Sequence, residues 1–285
     1  MIINDLIGGL GNQLFQYNGL KNYFPRHKLV FFGCMSLQAM FDNIDAYFIN
    51  SENKYHNYLF KIIKKFLYFL TSLRILGKIY QTLDNKSFKL KVFRGLFWNI
   101  YVAHDIYFQD NECIEKTHAL PSLKKKNLRS AREFLKINKI DPKKSNLVFV
   151  NIRRRDYLFW PNKKFPAILN LSWYQRSMNY IKQKIKKPIF IIMSDDKFYV
   201  KDVFKEGNSL IISENEYQKD FAIMTLCSHG IMSPSSFAWW GSYFIKMNKR
   251  VKSSSYFIAP KYWGGHRNKK WHPSNFYFPW IKYRE

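Results

Sequence analysis

Three arginines and an aspartate, Arg153-Arg154-Arg155-Asp156, stand at the end of an apolar run, Leu147-Val148-Phe149-Val150, separated from it only by Asn151 and Ile152. Four apolar, mostly β-favouring residues read as a strand buried on both faces, as in a parallel sheet. Open α/β sheets gather ligands at the carboxyl ends of their strands. The planar guanidinium fork matches phosphate oxygens two at a time, so the arginines are placed to hold an anion. The bland alternative is a solvated basic loop, since charge runs are usually surface.

Two further strands end in polar groups. Ile189-Phe190-Ile191-Ile192-Met193 runs into Ser194-Asp195-Asp196, and Gly230-Ile231-Met232 into Ser233-Pro234-Ser235-Ser236 ahead of a helix over Phe237–Phe244. Hydroxyls where a strand feeds a helix can cap the helix, or donate to a phosphate lying over its N-terminus. Asp195 and Asp196 raise the question of a divalent cation. As adjacent acids after a strand they suit loop or nucleotide contacts better, and with no metal-binding motif in the chain no metal is expected. Near the start, a short strand of Ile2, Ile3, Leu6 and Ile7 leads through Gly8-Gly9-Leu10-Gly11-Asn12-Gln13 into a helix carrying Leu14, Phe15, Tyr17, Leu20 and Tyr23. Such a turn lets bare backbone approach a phosphate or sugar, or is simply a tight turn. It departs from the dinucleotide fingerprint: the third glycine falls on Leu14, and Phe31, Phe32 and Gly33 stand where the acid belongs. This argues against hydride transfer.

The elements that must position these groups follow from the rest of the chain. At 285 residues, 47% apolar and 19% aromatic, it is globular and long enough for two domains. A formal net charge of +27 attracts nucleic acid, anionic lipid or a nucleotide-charged substrate. No zinc finger, RRM core or zipper supports nucleic acid as the partner. Cys34, Cys113 and Cys227 lie far apart and read as reduced thiols. The N-terminal residues lack the regions of a signal peptide, and no apolar stretch suffices for a membrane span, so a cytoplasmic protein is expected, peripheral to a membrane at most.

Leu29–Phe32 reads as a strand. Tyr58–Tyr80 reads as a helix whose face of Ile62, Phe66, Phe69, Leu70 and Leu73 either packs on its own domain or docks on a membrane surface. Residues 97–109 are strand-like, and Ser122–Arg132 is a linker or solvated helix before Asp141-Pro142-Lys143-Lys144 closes the first half. Trp173–Lys186 and Asp220–Cys227 read as helices, the latter entered by an acid that suits its dipole. Strands alternating with helices make a doubly wound parallel sheet. The boundaries expected are 1–143, 144–265 and 266–285, the last a tail packing back across the other two. The tail's Trp271, His272, Phe276, Tyr277, Phe278 and Trp280 suit either a sugar platform or simple packing.

Taken together, Gly8-Gly9-Leu10-Gly11-Asn12-Gln13-Leu14-Phe15-Gln16-Tyr17, Asn151-Ile152-Arg153-Arg154-Arg155-Asp156-Tyr157, Ser194-Asp195-Asp196 and Ser233-Pro234-Ser235-Ser236-Phe237-Ala238-Trp239-Trp240-Gly241 resemble, in order and at about the intervals, the motifs of family 11 glycosyltransferases. These are α-1,2-fucosyltransferases that use GDP-L-fucose. The resemblance implies a GT-B-like α/β fold, two Rossmann-like domains with parallel sheets facing across a cleft, 1–143 as the acceptor-binding domain and 144–265 as the nucleotide-sugar domain. It also implies a metal-independent, cofactor-free, inverting transfer of L-fucose to the 2-hydroxyl of a terminal galactose, in synthesis of a bacterial surface polysaccharide such as O-antigen.

Carried over by position, Arg153 resembles the arginine that neutralises the donor diphosphate, Arg154 a brace for its loop, and Asp156 the motif's acid and candidate proton acceptor. Asp156 has an alternative reading as an ion-pair partner of a neighbouring arginine, which would make it a poorer base. Asp220 resembles the acid that receives the two adjacent N–H donors of guanine. Ser235 and Ser236 would donate to phosphate, and Gly11, Asn12 and Asn151 would line the donor site. Asn151 stands where the family usually has His and so cannot titrate as a base; Arg155 stands where Gly is usual. Other readings are a transferase of another GDP-sugar, such as GDP-mannose, a basic nucleic-acid-binding protein, or an inactive binding relative.

Overall fold

The computed structural model describes residues 1–33, 35–49, 54–84, 87–115, 120–248, 255–264, 269 and 276–285. Cys34, Trp271 and His272 lie outside these residues. The chain divides into two units, Met1–Ser122 with Ser274–Tyr277, and Leu123–Pro273 with Phe278–Glu285.

The first unit runs β1 (Ile2–Asp5), α1 (Leu10–Tyr23), β2 (Leu29–Phe32), α2 (Met35–Met40), β3 (Phe41–Asp42), β4 (Tyr47–Ile49), α3 (Lys54–Ser72), β5 (Leu76–Asp84), β6 (Ser87–Phe93), β7 (Phe97–His104) and α4 (Asn111–Glu115), with the short strand β8 (Ser122–Leu123) at the division. Its six-stranded sheet has the order β4-β2-β1-β7-β5-β6. Every neighbouring pair is parallel except the β5–β6 hairpin. The predicted helix over Tyr58–Tyr80 ends at Ser72, and Leu76–Tyr80 is strand. β5 runs close to β7 here: a Cβ on Gly77 would come within 2.5 Å of the Tyr101 ring. The first strand stops at Asp5, leaving Leu6 and Ile7 in the turn.

The second unit runs α5 (Lys125–Ile137), β9 (Asn146–Ile152), a 3-10 turn over Asp156–Leu158, α6 (Leu171–Lys184), β10 (Pro188–Ser194), α7 (Lys197–Val203), β11 (Leu210–Ser213), α8 (Tyr217–Leu226), β12 (His229–Met232), α9 (Ser236–Met247), β13 (Phe257–Pro260) and β14 (Lys282–Arg284). Its sheet is parallel throughout, in the order β11-β10-β9-β12-β13-β14. Leu147 to Val150 are wholly buried, as a central strand covered on both faces requires. Val148, Val150 and Ile152 share a core with Trp173, Tyr174, Met178 and Ile181 of α6. The alternate residue Phe149 meets Gly230 of β12, where a Cβ would sit 2.4 Å from its ring.

Two expectations are corrected here. Ser122–Arg132 is no linker: from Lys125 it is the helix α5, with Lys125, Lys126, Arg129 and Arg132 in solvent and a narrow face of Asn127, Ala131 and Leu135 buried where α5 packs against α8. The division therefore falls after Ser122 rather than after 143, and the last residues are shared, with 276–277 in the first unit and 278–285 in the second. Cys113 and Cys227 are buried free thiols. Among the described residues no helix is long and apolar enough to cross a membrane.

Candidate active site at the carboxyl edge of the second sheet

Parallel pairing sets β10, β9 and β12 level at their carboxyl ends, with Asn151 beside both Met193 and Met232, and Ile152 beside Ser194. The polar segments that follow the three strands therefore meet. Ser233 is the knot. Its hydroxyl donates to the Asn151 carbonyl at 2.6 Å, accepts the Arg153 backbone N–H at 2.8 Å, and lies 3.1 Å from the Tyr174 hydroxyl. Since the Ser233 proton is committed to Asn151, Tyr174 is the donor in the last of these. Ser194 adds a second tie, donating to the Ile152 carbonyl at 2.8 Å and accepting the Asp196 N–H at 3.0 Å.

These ties aim the arginines. Arg153 places Nε 3.0 Å and Nη2 2.8 Å from Asp156 Oδ1, and Nε 3.2 Å from Asp195 Oδ2. Its side chain stays 39% exposed, and among the described residues its Nη1 has no partner. Arg154 turns the other way: its Nε meets Asp196 Oδ2 at 3.1 Å and its guanidinium lies 3.5 Å from the Tyr199 ring centre. Asp195 accepts the Arg154 N–H at 2.9 Å, and Asp196 caps α7 through the Tyr199 N–H at 3.1 Å. Burial raises the Asp195 carboxyl above its usual range, with Arg153 opposing. Both acids named as a possible metal pair are thus occupied by arginine and backbone. Among the described residues no group of three or more His, Cys, Asp or Glu could hold an ion.

Ser235 caps α9, accepting the Ala238 N–H at 3.5 Å, and Ser236, the first helical residue, is partly exposed. Asn151 is buried, yet among the described residues its Oδ1 has no hydrogen-bond partner. At the end of β11, next to β10, the Ser213 hydroxyl donates to Asp220 at 2.5 Å and receives Asn215 Nδ2 at 2.7 Å. Burial pushes the Asp220 carboxyl up to about 7, with the Ser213 hydrogen bond opposing. Acid, acid pair, arginines and hydroxyls thus follow one another along β11, β10, β9 and β12, three strand spacings or about 14 Å.

Gly11 and Asn12 lie in the first unit, at the start of α1. Gly8 has φ +78°, a left-handed conformation that favours glycine. Gln13 donates to the Gly8 carbonyl at 2.8 Å, and Asn12 accepts Gln109 Nε2 at 2.8 Å. Gln16 donates to Ile7 and accepts from Asn4 and from the Ile7 N–H, so two buried glutamines fix the turn. The residues missed in the sequence are those that aim others. Tyr174 sits on a helix the sequence predicts without a role for it, Tyr199 on α7, which the sequence reading left out, and only the position of Ser233 at a strand end gave a signal.

The sequence model described as glycosyl transferase family 11 matches residues 7–283. Two Escherichia coli proteins match along nearly their whole length. One is the O-antigen biosynthesis glycosyltransferase WbnK, 24% identical over 93% of this chain and 95% of its own. The other is an alpha-1,2-colitosyltransferase, 27% identical over 92% of each. Galactoside alpha-(1,2)-fucosyltransferase 1 of Mus musculus is 29% identical over 34% of this chain and 27% of its own. Among solved structures, POFUT1 in complex with GDP superposes with a TM-score of 0.51 at 10% identity, covering 89% of this chain and 97% of that one. That likeness shows the fold, a GT-B-like α/β arrangement of two Rossmann-like units. With a match spanning almost the full chain, the protein belongs to glycosyl transferase family 11.

Proposed function

We propose that the chain transfers L-fucose from GDP-L-fucose to the 2-hydroxyl of a terminal galactose, with inversion and without a metal. The observation that carries this reading is Arg153: its backbone is pinned by Ser233 and its guanidinium is gripped by two carboxylates, while Nη1 stays free at a half-exposed position. Formally the three arginines are balanced by Asp156, Asp195 and Asp196, so the cluster acts through aimed donors rather than through net charge. Such preorganised donors stabilise charge as it develops on a leaving group.

In the proposed reaction the bond from the sugar C1 to the diphosphate breaks as the acceptor oxygen attacks from the opposite face. Arg153 and the α9 N-terminus at Ser236 take up the diphosphate charge, as a helix N-terminus favours anions. Asp220 reads the guanine edge, and the unpartnered Asn151 Oδ1 accepts from the donor. Asp156, 56% exposed with Oδ1 on Arg153, receives the acceptor proton through Oδ2.

A second donor is favoured by a specific observation, the end-to-end match to an alpha-1,2-colitosyltransferase. Incubating the pure chain with GDP-fucose, its 3-deoxy analogue and GDP-mannose against a panel of galactosides, read by mass spectrometry, separates the readings. Transfer from GDP-fucose to a galactoside 2-hydroxyl is expected. Arg153→Ala should lose about 30-fold or more, since breaking a desolvated charge contact costs on the order of 2–5 kcal/mol. Transfer undiminished in that variant would remove the phosphate role.

A further inference from the structure

α3 carries apolar residues on two sides, one against the sheet and one in solvent. The side toward the sheet is mixed: the Phe60 ring meets Phe32 edge-on at 5.6 Å, Ile63 and Leu67 line a cavity with Ile3 and Val102, Lys64 Nζ lies 2.8 Å from Asp5 Oδ2 at the end of β1, the Tyr68 ring stacks on His104 at 3.8 Å, and Thr71 Oγ1 is 3.1 Å from His104 Nε2. Its apolar stripe, Leu59, Ile62, Phe66, Phe69 and Leu73, faces solvent, with Phe66 58% exposed. The stripe is about 21 Å long at the helical rise. It continues without a break, because the Leu96 N–H donates to the Arg74 carbonyl at 2.7 Å and the Phe97 N–H to Ile75 at 3.0 Å. Leu96, Phe97 and Trp98 are themselves exposed, at 76%, 56% and 68%.

We propose that this face of the first unit, α3 together with Leu96-Phe97-Trp98, docks on an anionic lipid bilayer. Exposed apolar surface this continuous marks an interaction site. Charge decides the occupant. Residues 54–104 carry ten Lys and Arg against a single acid, Asp84, and Lys61, Lys65 and Arg74 flank the stripe in solvent. A second copy of the chain would bring like charge against like. An anionic surface attracts this one, and Trp98 and the exposed Tyr58 are the residue types that settle at the lipid–water interface. A helix with Lys beside a stripe of Phe and Leu lies in the plane of that interface, apolar side down.

The test is co-sedimentation of the full chain with vesicles of phosphatidylcholine plus phosphatidylglycerol, and with phosphatidylcholine alone. The parent should bind the mixed vesicles and be weakened by salt. Phe66→Ser/Phe69→Ser, which leaves the charge unchanged, should lose about 10-fold or more. Lys61→Glu/Lys65→Glu should lose about fivefold or more. Turnover on a soluble acceptor and the circular dichroism spectrum should match the parent in both variants. A parent that ignores mixed vesicles overturns the proposal, as does a serine variant that binds them equally well. Light scattering that shows a parent dimer and a serine-variant monomer, without lipid binding, would assign the face to a second copy instead.

Discussion

The two parallel sheets finish their carboxyl edges differently. In the second unit, three strand ends hold arginines, carboxylates and hydroxyls, and each acid is spent on fixing an arginine or a helix: Asp195 and Asp156 on Arg153, Asp196 on Arg154 and α7. In the first unit the edge carboxylates Asp5 and Asp105 are both answered by Lys64 from the covering helix, at 2.8 and 3.8 Å, and that helix leaves an apolar stripe in solvent. The helices show the same contrast: α6 buries Trp173, Tyr174, Met178 and Ile181, whereas α3 exposes its Phe and Leu stripe. One edge gathers aimed hydrogen-bond donors and their carboxylate partners. The other yields an apolar outer face.

Substitutions at the second edge and on the outer face of the first should therefore behave differently, and the largest effect is expected at Asp220. Its carboxyl is raised to about 7, above the unfolded value near 3.9. The folded chain thus keeps a proton that the unfolded chain releases. Stability should fall as pH rises from about 4 to about 7 and level off above that, a loss on the order of 2–4 kcal/mol. Asp220→Asn should flatten this slope and exceed the parent in denaturant midpoint above pH 7. Parallel pH curves for the two would refute it. If the ionised form reads guanine, GDP affinity should rise with pH through about 7 in the parent and not in the variant.

A smaller effect is expected at Gly230, whose Cβ would meet the Phe149 ring. Gly230→Ala should destabilise by about 1–3 kcal/mol through overpacking, read by urea unfolding. Ser235→Ala, which removes the α9 cap, should cost about 1 kcal/mol in the same measurement. The smallest effect is expected at Phe66→Ser/Phe69→Ser, within about 0.5 kcal/mol, because the stripe contributes little to the fold. A large loss there would mean that the face is packed, and the contrast between the units would fail.

The second sheet was legible because strands buried on both faces are continuous apolar runs, and the polar groups that end them make up the candidate site. The fold of the first unit was less so. β5 follows α3 within four residues, so helical spacing could be traced past Ser72 into strand. α5 carries Lys124-Lys125-Lys126 at its start and buries only a narrow face, so it read as solvated and shifted the domain boundary. The direction of α3 could not be read from its pattern, since periodicity marks an apolar face without saying whether the core or a partner takes it. Ser233, Tyr174 and Tyr199 aim arginines through contacts between strands and helices far apart in the chain, which spacing does not encode.

The central claim is that Arg153, held by Ser233, Asp156 and Asp195, grips a guanosine diphosphate. Calorimetric titration of GDP and UDP into the parent and into Arg153→Ala tests it most directly. Tight binding of GDP but not of UDP by the parent is predicted, with GDP affinity about 30-fold or more weaker in the variant. Equal GDP affinity in parent and variant would contradict it.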